Sequence, residues 1–215
     1  MKCSKDMMLL YAVTDRKWVG EMSLYQQVEV ALKKGITCLQ LREKELDERT
    51  FLEEALQIGE LCRAYKVPFI INDNIEIALK CRADGIHIGQ EDVSLLEARK
   101  LVGNEMMIGV SVHTVHEAIE AMKNGADYLG VGAVFHTSTK LDVNTMSYET
   151  LKAICEITNL PTVAIGGIAE KNIMKLCGSG IDGIAVISAI FGAQNPGEAT
   201  MKLLALAKEM VQHNQ

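Results

Sequence analysis

Three side chains spaced two apart, Gln40, Arg42 and Lys44, are the first in this sequence whose types suggest chemistry. An extended backbone turns alternate residues to one side. Cations pointing inward from a strand are costly without a partner, and a guanidinium matches the two oxygens of a phosphate. The triplet reads as a clamp for an anion or heterocycle, or as a solvated strand end with two ordinary surface cations. Further on come Asn72-Asp73-Asn74 and His87-Ile88-Gly89-Gln90-Glu91-Asp92. Asp73 or Asp92 alone fits the N-cap of a following helix. Two carboxylates leaving adjacent strands at one rim fit Mg²⁺, which takes few protein oxygens and completes its octahedron with water and substrate phosphates.

Ser111 follows another β-rich run and reads as a phosphate donor or as the cap of a helix beginning near His113-Thr114. The stretch Gly130 to Lys140 ends in Thr137-Ser138-Thr139-Lys140, two threonines, a serine and a lysine on a glycine-rich loop, suited to phosphate or diphosphate. Residues 141–147 carry no periodicity and read as a loop that closes over a site, or as an ordinary surface loop. Gly166-Gly167 and Ile187-Ser188 end two later runs, where paired loops and backbone N–H groups hold phosphate in barrel enzymes. His87, inside a run, reads as a hydrogen-bonded histidine of the barrel wall rather than a catalytic one.

What must position these residues is an alternation of short β-rich runs and helical patterns along the whole chain. The runs are Leu9 to Val13, Ile36 to Leu41, Pro68 to Ile71, Gly85 to Ile88, Met107 to Val110, Tyr128 to Val131, Thr162 to Ile165 and Gly183 to Ile187. Helical patterns come after each, among them about Ala169 to Cys177 after the seventh. Strict βα alternation means parallel strands with helical crossovers. Eight units in 215 residues predict an α/β fold of the closed (β/α)8 TIM-barrel type in a single domain, with a doubly wound open sheet as the alternative. Asp127 and Asp182, which precede two of the runs, fall at the opposite rim from the polar set, where they read as stability features.

Composition narrows the function. The balance of 22 Lys+Arg against 28 Asp+Glu leaves no basic footprint for nucleic acid. Six cysteines form no CxxC or Cys/His spacing, which argues against zinc and fits a reducing, cytoplasmic setting. The apolar run Met7 to Val13 is too short to span a membrane and reads as a strand, not a signal peptide. Whether the chain forms a homo-oligomer is not encoded in any of these patterns.

Taken in order, Gln40-x-Arg42-x-Lys44, Asn72-Asp73, Gly85-x-His87-x-Gly89-Gln90-x-Asp92, Gly109-Val110-Ser111, Thr137-Ser138-Thr139-Lys140, Gly166-Gly167-Ile168 and Ile187-Ser188-Ala189-Ile190 resemble the thiamine-phosphate synthase family. The resemblance runs from about Leu9 to Ile190. It implies that a 4-amino-2-methyl-5-hydroxymethylpyrimidine diphosphate is joined to a thiazole phosphate, or to its carboxylate with loss of CO₂, giving thiamine phosphate and diphosphate. By the same resemblance Gln40, Arg42, Lys44, Asn72 and Lys140 hold the pyrimidine diphosphate, and Asp73 and Asp92 bind Mg²⁺. Ser111 touches the pyrimidine or diphosphate. Thr137, Thr139, Gly167, Ile187 and Ser188 hold the thiazole phosphate. Lys140, Arg42 and Ser111 are the residues expected at the reacting bond. The implied mechanism is dissociative, which agrees with a chain that shows no nucleophile–base pair. Two positions depart from the family pattern: Ala133 and His136 stand where proline is more usual. His136 raises the related thiazole tautomerase as an alternative. A non-catalytic thiazole-phosphate sensor is another, although it would have no use for lysines and paired carboxylates.

Overall fold

The structure, a computed structural model, describes residues 3–136 and 145–214. Eight strands, β1 (Leu10–Val13), β2 (Cys38–Leu41), β3 (Phe69–Asn72), β4 (Gly85–Ile88), β5 (Met107–Val112), β6 (Tyr128–Gly132), β7 (Thr162–Ile165) and β8 (Ile184–Val186), form a closed barrel in chain order. Every neighbouring pair is parallel, and β8 closes on β1. The helices are α1 (Lys5–Met8), α2 (Leu24–Lys34), α3 (Glu48–Tyr65), α4 (Ile75–Cys81), α5 (Leu95–Val102), α6 (Val115–Lys123), α7 (Tyr148–Ile157), α8 (Ser188–Phe191) and α9 (Pro196–Gln212). None of the described helices is long and apolar enough to cross a membrane.

Local chemistry explains most boundaries. Ser23 and Gln26 make a reciprocal capping box that starts α2, and Gly35, at φ 102°, stops it in the left-handed conformation that a side chain disfavours. Asp47, Ser94, Thr114 and Ser147 each accept a backbone N–H at the start of α3, α5, α6 and α7.

Two expectations fail. Met7 and Met8 belong to α1 rather than to the first strand, because Met8 turns into the barrel floor beside Tyr11, Cys38 and Met107. The helix expected over 169–177 is only a 3-10 turn, Ile173–Leu176. Asn172 accepts from Ala169 N at 2.8 Å and donates to Gly167 O at 2.9 Å, which ties this turn back to the loop after β7.

The floor of the barrel carries a repeated clasp. Thr37, Asp84, Asp127 and Asp182 accept the backbone N–H of Leu10, Phe69, Ile108 and Thr162 at 2.7–2.9 Å. Their own N–H groups donate to the carbonyls of those same residues. This reciprocal pair recurs at β1/β2, β3/β4, β5/β6 and β7/β8, and satisfies strand-entry donors that would otherwise be left unpaired. These residues are therefore structural, at the end opposite the polar loops.

Two apolar compartments result. Residues facing outward from the strands pack beneath the helices. Met8, Tyr11, Val13, Cys38, Ile70, Met107, Tyr128, Val163 and Ala185 fill the barrel itself. Filling it requires small residues opposite large ones. A Cβ on Gly109 would lie 2.0 Å from Tyr128 Cζ, so this position is glycine because the Tyr128 ring occupies the space.

Candidate active site at the carboxyl-terminal rim

At the mouth of the barrel the strand ends bring the polar residues together, but not by the simple alternation expected for Gln40, Arg42 and Lys44. β2 stops at Leu41, so only Gln40 is turned by the strand itself. It is buried, and its Nε2 donates to Tyr11 Oη at 2.9 Å. Arg42 is anchored through its backbone N–H on Thr14 Oγ1, 2.9 Å away, and its guanidinium lies 3.9 Å from Asp15. Lys44 reaches across to pair with Asp73. The cations gather because the loops after β1, β2 and β3 meet there.

The capping alternatives for the acidic pair and for Ser111 do not hold. Asn74 caps α4, Ser94 caps α5 and Thr114 caps α6. Asp73 takes a left-handed backbone, φ 59°, and donates its N–H to His87 O at 2.9 Å, which holds it against β4. Its carboxylate accepts from Asn72 Nδ2 at 2.6 Å and from Lys44 Nζ. Asp92 folds back to accept Gly89 N at 2.7 Å. Burial first, and the facing carboxylate of Asp92 as well, push the Asp73 carboxyl above its ordinary range, while Lys44 pulls the other way. Two carboxylates held this close repel each other, and a shared cation would relieve that repulsion. No cluster of three or more His, Cys, Asp or Glu suited to a metal occurs among the described residues. A pair is nonetheless what Mg²⁺ requires when substrate oxygens and water supply the rest, so the residues present fit it.

On the other side of the mouth, Gly166 and Gly167 come after β7 at φ 105° and 64°. The loop after β6 lies directly on them: Val134 N donates to Ile165 O at 2.9 Å and Phe135 N to Gly166 O at 3.0 Å. A Cβ on Gly167 would stand 2.3 Å from His136 O, so a side chain here would push the β6 loop off the β7 loop. Ser188 opens α8 immediately after β8. His136 is exposed. Thr137, Thr139 and Lys140 lie outside the described residues.

The pattern of residues and the closed barrel both have counterparts among known proteins. Residues 10–190 match the family model described as thiamine monophosphate synthase. The chain is 48% identical to a thiamine-phosphate synthase of Clostridium acetobutylicum, over 93% of this chain and 95% of that one. It is 49% identical to the Clostridioides difficile thiamine-phosphate synthase, over 90% of each. The chain belongs to the thiamine monophosphate synthase family. A solved thiamine phosphate pyrophosphorylase from Pyrococcus furiosus agrees in fold, with a TM-score of 0.89 and 37% identity over 96% of this chain and 98% of that one. As a member of the thiamine monophosphate synthase family it is an enzyme, a transferase of thiamine biosynthesis.

Two features of this family member were not apparent from the sequence. One is a chain of hydrogen bonds through the barrel interior: Gln40 Nε2 to Tyr11 Oη, Tyr11 Oη to Tyr128 Oη at 2.8 Å, Tyr128 Oη to His87 Nδ1 at 3.0 Å, and His87 Nε2 to Ser111 Oγ at 2.9 Å. His87 is therefore hydrogen-bonded in the wall as expected, but it also touches a candidate site residue. The sequence signal for it was the period-two burial of Tyr11 and Tyr128 beside Gln40 and His87, with both tyrosines masked by their apolar runs.

The other feature is a pair of acids around one cation, with Glu43 buried and Glu54 and Arg16 half-buried. Glu43 and Glu54 share Arg16, whose guanidinium donates to Glu43 at 3.1 Å and to Glu54 at 2.7 and 2.8 Å. It ties the turn after β1 and the loop after β2 to α3. Burial raises the Glu43 carboxyl above its usual range against the pull of Arg16. Arg16→Met is expected to cost about 2 kcal/mol at neutral pH, since a buried carboxylate would lose its cation. Glu43 would then hold its proton to still higher pH in the folded state. The unfolded chain ionises first, so stability falls as pH rises between the two values, and the deficit shrinks as pH is lowered. Urea melts of both proteins between neutral and acid pH check this; a deficit independent of pH would contradict it.

Proposed function

We propose that the protein condenses 4-amino-2-methyl-5-hydroxymethylpyrimidine diphosphate with 4-methyl-5-hydroxyethylthiazole phosphate, or its carboxylate, to give thiamine phosphate and diphosphate. The observation that carries this reading is the facing pair Asp73 and Asp92, with Lys44 paired to Asp73 and Arg42 beside it, at the mouth of the barrel. That arrangement suits a diphosphate whose departure is the difficult step.

Gln40 holds the pyrimidine with the amide hydrogen and carbonyl that Tyr11 does not use. Arg42, Lys44 and Asn72 engage the diphosphate, together with Lys140. Asp73 and Asp92 hold Mg²⁺, which when bound neutralises charge building on the leaving diphosphate. The bond between the pyrimidine methylene carbon and the diphosphate oxygen breaks with the electron pair leaving on oxygen. The aminopyrimidine ring donates into the methylene cation that remains. The thiazole nitrogen then attacks that carbon, and CO₂ departs where the thiazole carries a carboxylate. Gly167, Ile187 and Ser188, with Thr137 and Thr139, fix the thiazole phosphate so that the nitrogen faces the cation. The protein supplies positioning and charge rather than a nucleophile.

Mixing the protein with both substrates and Mg²⁺ is expected to release diphosphate and thiamine phosphate in equal amounts, and EDTA to abolish both. Isomerisation of the carboxylated thiazole phosphate without diphosphate release would replace this reading with the tautomerase and direct attention to His136. Metal-independent ligand binding without turnover would instead indicate a sensor. Ser188→Ala is expected to raise KM for the thiazole phosphate about tenfold with kcat little changed, because that phosphate is held alike in ground and transition states. Steady-state kinetics in the two substrates separates this from an effect on the chemical step.

A further inference from the structure

We propose that Tyr128 and His87 are positioning residues: with Tyr11 they fix the direction of a buried hydrogen-bond relay, so that Ser111 must present its hydroxyl hydrogen to the substrate. The inference rests on the proposed placement of Gln40 at the pyrimidine and on the contact of Ser111 with pyrimidine or diphosphate that the family resemblance implies.

The direction is set by counting hydrogens. Gln40 Nε2 can only donate, so Tyr11 Oη accepts from it. The single phenolic hydrogen of Tyr11 then goes to Tyr128 Oη, 2.8 Å away. Tyr128 has one hydrogen of its own, and the remaining partner is His87 Nδ1 at 3.0 Å. Leaving no buried hydroxyl hydrogen unused requires that nitrogen to be unprotonated, which puts the hydrogen of the neutral ring on Nε2, facing Ser111 Oγ at 2.9 Å. Ser111 Oγ accepts, and its own hydrogen must point away from His87. The Ser111 carbonyl is already taken by Gln90 Nε2 at 2.6 Å, which steadies the residue from the other side.

Two further observations support the relay. Both phenols are fully buried, and burial pushes their ionisation far above the ordinary tyrosine range, so each keeps the hydrogen the relay needs. The barrel is also shaped around the two rings. Gly109 leaves room for Tyr128, and a Cβ on Gly130 would lie 3.0 Å from His87 Cε1. An aligned chain of donors polarises each member. A Ser111 hydrogen already aimed at the site gains most when charge develops on a departing diphosphate oxygen, so its effect belongs mainly to kcat.

The test combines spectroscopy with a double-mutant cycle. In wild-type protein, ¹⁵N NMR of the imidazoles, assigned with His87→Asn, is expected to show His87 as the Nε2–H tautomer; the Nδ1–H tautomer overturns the proposed direction. Tyr128→Phe keeps the ring and removes the hydroxyl. It is expected to lower kcat about tenfold, the size of one misaligned hydrogen bond, with KM for the pyrimidine diphosphate nearly unchanged, and to release the tautomer preference. If Tyr128 acts through Ser111, the double variant Tyr128→Phe/Ser111→Ala is no slower than Ser111→Ala alone to within about twofold. Additive losses, or a full-rate Tyr128→Phe beside a slow Ser111→Ala, overturn the relay by itself. A full-rate Ser111→Ala overturns instead the placement of Ser111 at the reacting bond, and the relay's functional role falls with it. Should Tyr128→Phe fold poorly, Tyr11→Phe interrupts the same chain one step earlier and completes the cycle.

Discussion

Asp92→Asn is expected to lower kcat by about 10²- to 10³-fold while leaving the fold intact. The variant keeps an oxygen that can accept from Gly89 N, so the turn after β4 retains its 2.7 Å bond. It also removes one of two carboxylates that repel each other, so that burial, the larger cause, is what still raises the Asp73 carboxyl. Thermal stability without Mg²⁺ should therefore hold or rise while turnover collapses. The loss falls on kcat because charge neutralisation matters most as diphosphate leaves. Direct titration with Mn²⁺ or Mg²⁺, beside the Mg²⁺ dependence of turnover, separates a binding defect from a folding one. Full activity with unaltered Mg²⁺ dependence in Asp92→Asn would dismiss the metal assignment.

Gly109→Ala is expected to be strongly destabilising. The added carbon would lie 2.0 Å from Tyr128 Cζ, inside the fully buried interior, where the ring is held by two hydrogen bonds and can move aside only by breaking them. Overpacking of this kind costs about 1–3 kcal/mol or more. Chemical denaturation measures the loss. If the ring does shift, the relay to His87 breaks and kcat falls with stability. Gly109→Ala combined with Tyr128→Leu, which shortens the opposing side chain, should regain much of the stability but not the rate. Wild-type stability in Gly109→Ala would mean that the ring is not held where the structure has it.

The helices were legible because their signals are local. Ser94 and Thr114 each sit within four residues of the N–H they bind, and Gly35 stops α2 by its own backbone. The strands were legible as apolar runs, and the polar rim as the residues immediately after each run. The helix expected over 169–177 is reduced to the 3-10 turn Ile173–Leu176, although the pattern is apolar enough for more. The role of Asp73 was harder. Asparagine at 74 and aspartate at 73 are both good caps, and only the left-handed turn at Asp73, tied to His87 O, hands the cap to Asn74.

The order of the eight strands, the rim on which Gln40, Asp73, Asp92 and Ser188 gather, and the family whose pattern the chain carries were determined by the sequence alone. Period and chain direction suffice for that, because a strand's end and the loop after it are neighbours in sequence. Only the closed tertiary structure decided which of these side chains meet. Tyr11 and Tyr128 are 117 residues apart, and His87 and Ser111 are 24 apart. Arg16 and Glu54, 38 apart, face each other only once α3 has packed against the turn after β1. Such contacts depend on barrel register and on space left by Gly109 and Gly130. Those are properties of the packed interior, and no local window of the chain contains them.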